Sequence, residues 1–357
     1  MDTKVEKTTH NAKEKVMEEE AHLRKNILNK EQQMSYKDKI EEDEEVINKM
    51  GTEPISKLMI AMGLPMILSM VVQAFYNIVD SYFVSAMPDT AQIVGMGDYA
   101  MNALTLAFPI QMFMVSIVVG TGVGINALLS KTLGEGKRET ASYVAGNAIF
   151  IGICTYVVFL LFGLFGVHAY MNSQTSDPII LQMGKEYLGI CCILSLGVIL
   201  FTIYEKLLQS TGKTVLCTIG QLAGALTNIV LDPILIFGYL GMPQMGVAGA
   251  AYATVIGQFS AAILAFILFK RYNTHLHISF KGLKIDFHVM SQLYSVAVPS
   301  TVMMCLPSVL VSLLNGMLAT ISQSAVAFFG VYYNIFSISI FIYGYEITTT
   351  IYFINCF

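Results

Sequence analysis

From Gly51 onward, apolar residues gather into eight long stretches at approximately 58 to 85, 100 to 129, 143 to 167, 186 to 205, 214 to 237, 247 to 269, 290 to 318 and 325 to 350, with polar residues in the short connections. Each stretch is too long for a buried strand, and the strands of a membrane barrel would alternate over shorter runs. A helix rises ~1.5 Å per residue, so about 20 apolar residues cross a hydrocarbon core ~30 Å thick. The pattern predicts an all-α integral membrane chain with eight spans.

Basic residues give those spans a direction. Lys57, the group Lys131, Lys137 and Arg138, the pair Lys206 and Lys213, and the group Lys270, Arg271, Lys281 and Lys284 fall in alternate connections. The opposite connections, near Pro88, Asn172, Gly241 and Thr320, carry no Lys or Arg, and Lys185 beside Glu186 is the one exception, at an interface. By the excess of Lys and Arg on the cytoplasmic side, the N-terminus is expected in the cytoplasm of a multi-pass protein of the cell's inner membrane.

Polar residues inside the apolar stretches are the functional signal. "ILSMVVQAFYNIVDSYFV" holds Asp80 with Asn77 one turn before it, and "IGQLAGALTNIVLDPILIF" holds Asp232 with Asn228 one turn before it. A carboxylate at membrane depth costs a few kcal/mol or more unless it faces a cavity, an ion or a proton path. Gln73, Asn77 and Asp80 are spaced i, i+4, i+7 and share a helix face. Carboxylate and amide oxygens suit a hard cation such as Na+, while two close buried carboxylates also suit a proton carrier. Both uses stay open. Pro233 removes one backbone hydrogen bond beside Asp232 and predicts a bend with a freed carbonyl near the site.

Composition sharpens the division of the chain. Of its 357 residues 55% are hydrophobic and 13% charged, yet residues 1–50 hold half of the 46 charged side chains. That segment has too few apolar residues to build a core and no signal-peptide h-region, so it reads as a charged cytoplasmic extension, disordered or loosely helical. Residues 51–270 read as a six-helix N-lobe, 271–289 as a cytoplasmic inter-lobe loop, and 290–357 as the first two helices of a second lobe. "LPMILSMVVQAFYNIVDSYFVS" at Leu64 and "VPSTVMMCLPSVLVSLLNGMLAT" at Val298 support that division as two copies of one unit. Asp80 and Asn102 follow Pro65 by 15 and 37 residues; Asn315 and Asn334 follow Pro299 by 16 and 35. Six spans between them make the repeat parallel, as in transporters that rock two halves about a central site. On that count the second half lacks about four helices.

The runs "GTEPISKLMIAMGLPMILSMVVQAFYNIVDSYFVS" and "NIVLDPILIFGYLGMPQMGVAGAAYATVIGQ" resemble the multidrug and toxic compound extrusion (MATE) family, particularly its MepA-like and DinF-like bacterial branch, over residues 51 to 342. The resemblance implies a bundle of two six-helix lobes, here a complete N-lobe and about two helices of the C-lobe. It implies a secondary antiporter, not an enzyme, that exports bulky, often cationic amphipathic drugs in exchange for Na+ or H+ without a cofactor. It places the coupling site on Asp80, Asn228, Asp232 and Thr254, with Asn77 beside them; Asp80, Asn228 and Asp232 would ligate Na+ if sodium is the coupling ion. Two-lobed bundles also export lipid-linked or polysaccharide precursors, which is the alternative function. The expected partners are small organic cations and the lipid bilayer, with no nucleic acid, and the chain is expected to act as a monomer.

Other motifs carry less. "QSTGKT" at 209–214 lacks the first glycine of a phosphate-binding loop and follows no strand. "GTGVG" at 120–124 sits inside an apolar helix, where small residues permit close helix contact. The histidines show no zinc spacing and the six cysteines no paired framework. Of the 21 Met and 39 Phe and Tyr residues, some would line a pliable cavity for organic cations, with Met66, Met70, Gln73, Phe75 and Gln258 as candidates.

The topology is testable directly. On a cysteine-free background, Asp89→Cys, Gln174→Cys and Met242→Cys should react from outside the cell with an impermeant thiol reagent, whereas Lys137→Cys and Lys281→Cys should not. Reversed labelling would overturn the cytoplasmic N-terminus.

Overall fold

The computed structural model describes residues 54–89, 94–273, 276, 287–322, 324–326, 328–330 and 332, all within the unit Glu53–Phe357. The charged extension 1–50, most of the loop 271–289, most of the stretch 325–350, and Asn334 lie outside the described residues. Within them the chain is helical, without strands.

In order, the helices are α1 (Ile55–Ser85), α2 (Met96–Gly134), α3 (Arg138–Leu161), α4 (Val167–Gln174), α5 (Pro178–Ile193), α6 (Leu196–Ser210), α7 (Thr214–Phe237), α8 (Val247–Tyr272) and α9 (Phe287–Ala319). A π-helical turn, Phe162–Gly166, joins α3 to α4 without a break in direction, so that one apolar helix runs over Arg138–Gln174. Six helices are long and apolar enough to cross a membrane, and α5 with α6 form a seventh crossing if the pair counts as one span. Seven predicted spans thus have counterparts.

The stretch 186 to 205 is where the structure departs from a plain helix. It belongs to a longer run, 178–210, broken at Leu194 and Ser195 with a bend of 43°. No proline causes the bend. Ser195 N donates to Cys192 O in a tight turn, and the Tyr156 hydroxyl donates to Ile193 O at 3.2 Å, which satisfies a carbonyl the break exposes. Beyond the break Gly197 lies against α8, where a Cβ would sit 3.1 Å from Phe259 N. The backbones can approach that closely because no side chain intervenes.

Helix ends follow local chemistry. Pro178 occupies the first turn of α5, and the Asp177 carboxylate accepts from Ile179 N at 2.8 Å and Ile180 N at 3.2 Å. Gly238 ends α7 in a left-handed conformation (φ 76°), after which Met245 N and Gly246 N return to Leu235 O and Ile236 O. That return lays the start of α8 on the end of α7.

Buried apolar side chains form two clusters along the helix axes. One joins the Val118–Leu129 part of α2 to α3, α6, the later part of α8 and the start of α9. The other joins the end of α1, the start of α2, α4, α5, the end of α7 and the start of α8. On α8 the gap runs from Ala251 to Ala261, and on α2 from Ala107 to Val118. Polar residues collect in that gap.

Removing the α5 cap tests this account of the bent span. Asp177→Ala should destabilise the chain by about 1 kcal/mol, since two backbone donors lose their acceptor. A small loss in thermal midpoint is the expected reading; no change would show that Asp177 does not cap α5 in the membrane.

Candidate cation-coupling site

Close backbone contact sets the site. Gly224 on α7 and Gly257 on α8 face each other: a Cβ on Gly257 would lie 2.8 Å from Gly224 O and 3.1 Å from the Asn228 Cβ. Small residues at such a crossing let two helices approach without lost side-chain packing. One turn on, Asn228 meets Thr254. Its Nδ2 donates to Asp232 Oδ1 on its own helix and to Thr254 Oγ1 on α8, each at 3.3 Å. Asn228 and Asp232 are buried, Asp232 completely.

Asp80 on α1 is also buried and lies close enough to Asp232 for the two carboxylates to repel. Tyr76, one turn before Asp80, lies within the field of both. Asp80 Oδ1, Asp232 Oδ2 and Asn228 Oδ1 accept no hydrogen bond. Buried oxygens without donors attract positive charge, and the set is entirely oxygen: two carboxylates, an amide and a hydroxyl. Such a set fits Na+ or a shared proton. Among the described residues there is no group of three or more His, Cys, Asp or Glu for a transition metal.

Asp80 opens onto a cleft with about 580 Å³ of empty space, its mouth included. Asn77 and Asp80 form one wall; Thr105, Phe108 and Gln111 on α2 form another; Tyr187 on α5 and Val311 on α9 close it. Asp232 is not on its surface. The two carboxylates therefore differ in access, with Asp80 at the cleft and Asp232 behind it.

Of the residues chosen from sequence, the structure brings together Asp80, Asn228, Asp232 and Thr254, and puts Asn77 on the cleft. The five cavity candidates do not border it. Phe75 is 60% exposed on the outer face of α1, because five residues from Asp80 is a rotation of about 140°. Gln73 shares the Asp80 face, but its Oε1 accepts from Gln221 Nε2 on α7 at 2.8 Å. Met66 is buried, while Met70 and Gln258 are half-buried away from the cleft. Thr105, Phe108, Gln111 and Tyr187 border the cleft although they are not among the sequence candidates. Gln111, a lone amide in "FPIQMFMV", was the signal available.

Long apolar helices with carboxylates buried between them define a multi-pass membrane protein. Residues 65–234 match the MatE family. The chain is 27% identical over 285 residues to the multidrug export protein MepA of Staphylococcus aureus (strain MRSA252), and 28% identical over 283 residues to that of Staphylococcus haemolyticus (strain JCSC1435), covering 79% of this chain in each case. It spans about 60% of the length of these relatives. Its fold is similar to the MATE multidrug transporter DinF-BH, with a TM-score of 0.76 and 26% identity over 86% of this chain and 66% of that one. It is also similar to an inward-facing MATE transporter of the MOP superfamily, with a TM-score of 0.68 and 24% identity over 78% of this chain and 61% of that one. In sequence and in fold the chain is thus similar to MATE transporters over most of its described length.

The glycine crossing yields a prediction. Gly257→Val would drive a branched side chain into Gly224 O and Asn228, at a cost of about 1–3 kcal/mol by overpacking. A thermal midpoint lowered by several degrees is expected; an unchanged one would contradict the close α7–α8 contact.

Proposed function

We propose that this chain carries the coupling site of a secondary antiporter that exports cationic amphipathic drugs in exchange for Na+ or H+, and that Asp80 and Asp232 are the coupling pair. The observation that carries the reading is one arrangement. Asp80 stands at a cleft, with Asp232, Asn228 and Thr254 behind it, and three of their oxygens lack a donor. Entry of a cation or proton neutralises the repulsion between the carboxylates, while an organic cation in the cleft competes for the same negative charge. Two ligands that exclude one another from one charge are reciprocally coupled, which is the requirement for exchange. Aromatic and thioether groups at the cleft, Phe108, Tyr187 and Met101, give an apolar cation contact surface.

Export of phosphate-bearing lipid precursors is the weaker reading. A cleft for phosphate needs basic groups, and the residues that line this one include no Lys or Arg. In the cell, the protein is proposed to lie in the inner membrane with its N-terminus in the cytoplasm, exchanging ions across that barrier as a monomer.

The test is ethidium efflux from cells that lack their own pumps, with an imposed sodium gradient or an imposed proton gradient. In a protein with both lobes complete, Asp80→Asn and Asp232→Asn should each lower gradient-driven efflux at least tenfold while membrane insertion is unchanged, because Asn keeps the shape and loses the charge. Efflux unchanged in both variants would reassign the two carboxylates to packing.

A further inference from the structure

The cleft wall on α2 contains a defect in its own backbone. Pro109 lies inside the helix and has no N–H, so the carbonyl four residues earlier, that of Thr105, has no helical donor. The Thr105 side chain does not fill the gap, because its Oγ1 donates to Met101 O at 2.7 Å. A second helix fills it instead. Asn315 of α9, fully buried, donates from Nδ2 to Thr105 O at 3.0 Å, and seven residues earlier Ser308 Oγ donates to Pro109 O at 2.5 Å.

Prolines interrupt these helices at four further places, and none of the carbonyls they open, those of Ala61, Ile229, Ser295 and Met303, takes a side-chain donor from another helix among the described hydrogen bonds. The Thr105 carbonyl differs from them in its position. Thr105, Phe108 and Gln111, on both sides of Pro109, form the α2 wall of the cleft that Asp80 opens onto, and Val311, one turn from Asn315, forms the facing part of α9. The rest of the α2–α9 contact is close: Ser116 Oγ donates to Met304 O at 2.8 Å, and a Cβ on Gly120 would lie 2.7 Å from the Thr301 Cα. The bond at Thr105 is therefore the end of a packed seam at the cleft.

We propose that Asn315 is a positioning residue: its amide supplies the donor that Pro109 withholds and so fixes the α2 wall of the cleft against α9. In the sequence repeat Asn315 follows Pro299 much as Asp80 follows Pro65, which sets a neutral amide where the first copy has a charge. Asn315 acts through the wall and does not touch the bound cation. The proposal rests on the reading of the cleft as an organic-cation site.

A double-mutant cycle tests it, because Pro109→Ala restores the missing N–H and makes the Asn315 donor redundant. Tetraphenylphosphonium binding to the purified chain in lipid nanodiscs should weaken at least fivefold in Asn315→Leu. In the Pro109→Ala background the same change should matter less than twofold. Thermal midpoints of the four proteins should show the same coupling without any ligand. An equal loss of affinity in both backgrounds would overturn the proposal, since Asn315 would then act on the ligand and not on the carbonyl. Coupled midpoints with unchanged affinity would also overturn it, leaving a bond that only stabilises the fold. Failure of the unmodified chain to bind tetraphenylphosphonium would count against the cation cleft itself, while the midpoints would still decide whether Asn315 serves the Pro109 gap.

Discussion

Two carboxylates held near one another in an apolar bundle are the constraint that the rest of the architecture accommodates. Hydrocarbon supplies no water, so every charge and every open backbone group must be answered from within the protein. The bundle answers by dividing its apolar packing in two and leaving a polar layer between the clusters. Asp80, Asn228, Asp232 and Thr254 lie in that layer, and so does the Gly224–Gly257 crossing that aligns them. A single continuous core would have excluded the pair.

Much of this was legible in the chain. Long apolar stretches set the spans because the bilayer imposes a minimum length, and the stretch 214 to 237 has the same limits as α7. Asp80, Asn228 and Asp232 stood out because a polar side chain in such a stretch has few structural uses. Periodicity also separates Phe75 from the cleft, since 100° per residue carries it to the outer face of α1. What was not legible depends on partners from distant sequence. Gln73 has the right face but is engaged by Gln221, 148 residues away. Thr105 and Tyr187 are ordinary residues of apolar helices until α9 and α1 close against them. The bend in 178–210 carries no proline and shows only as a serine and a glycine in "ILSLG".

Proline has two uses in this bundle. Near Asp232, Pro233 opens the carbonyl of Ile229 in α7, and no side chain closes it among the described hydrogen bonds. At Pro109 the open carbonyl is closed across a helix interface by Asn315. The same covalent defect leaves a carbonyl open in one helix and ties another helix to its neighbour, according to whether a donor stands opposite.

The break between α5 and α6 bears on the arithmetic of sidedness. Neither half, at 16 and 15 residues, reaches across a hydrocarbon core of ~30 Å at ~1.5 Å per residue, but the two in succession do. Were the pair to dip in and return, every later helix would change direction, and Lys213 and Lys270 would face the opposite side from Lys131 and Arg138. Only a through-going pair keeps those cations together. A bend of 43° thus has to be tolerated without altering the number of crossings among the described helices from odd to even, and the sidedness of α7 and α8 hangs on two residues, Leu194 and Ser195.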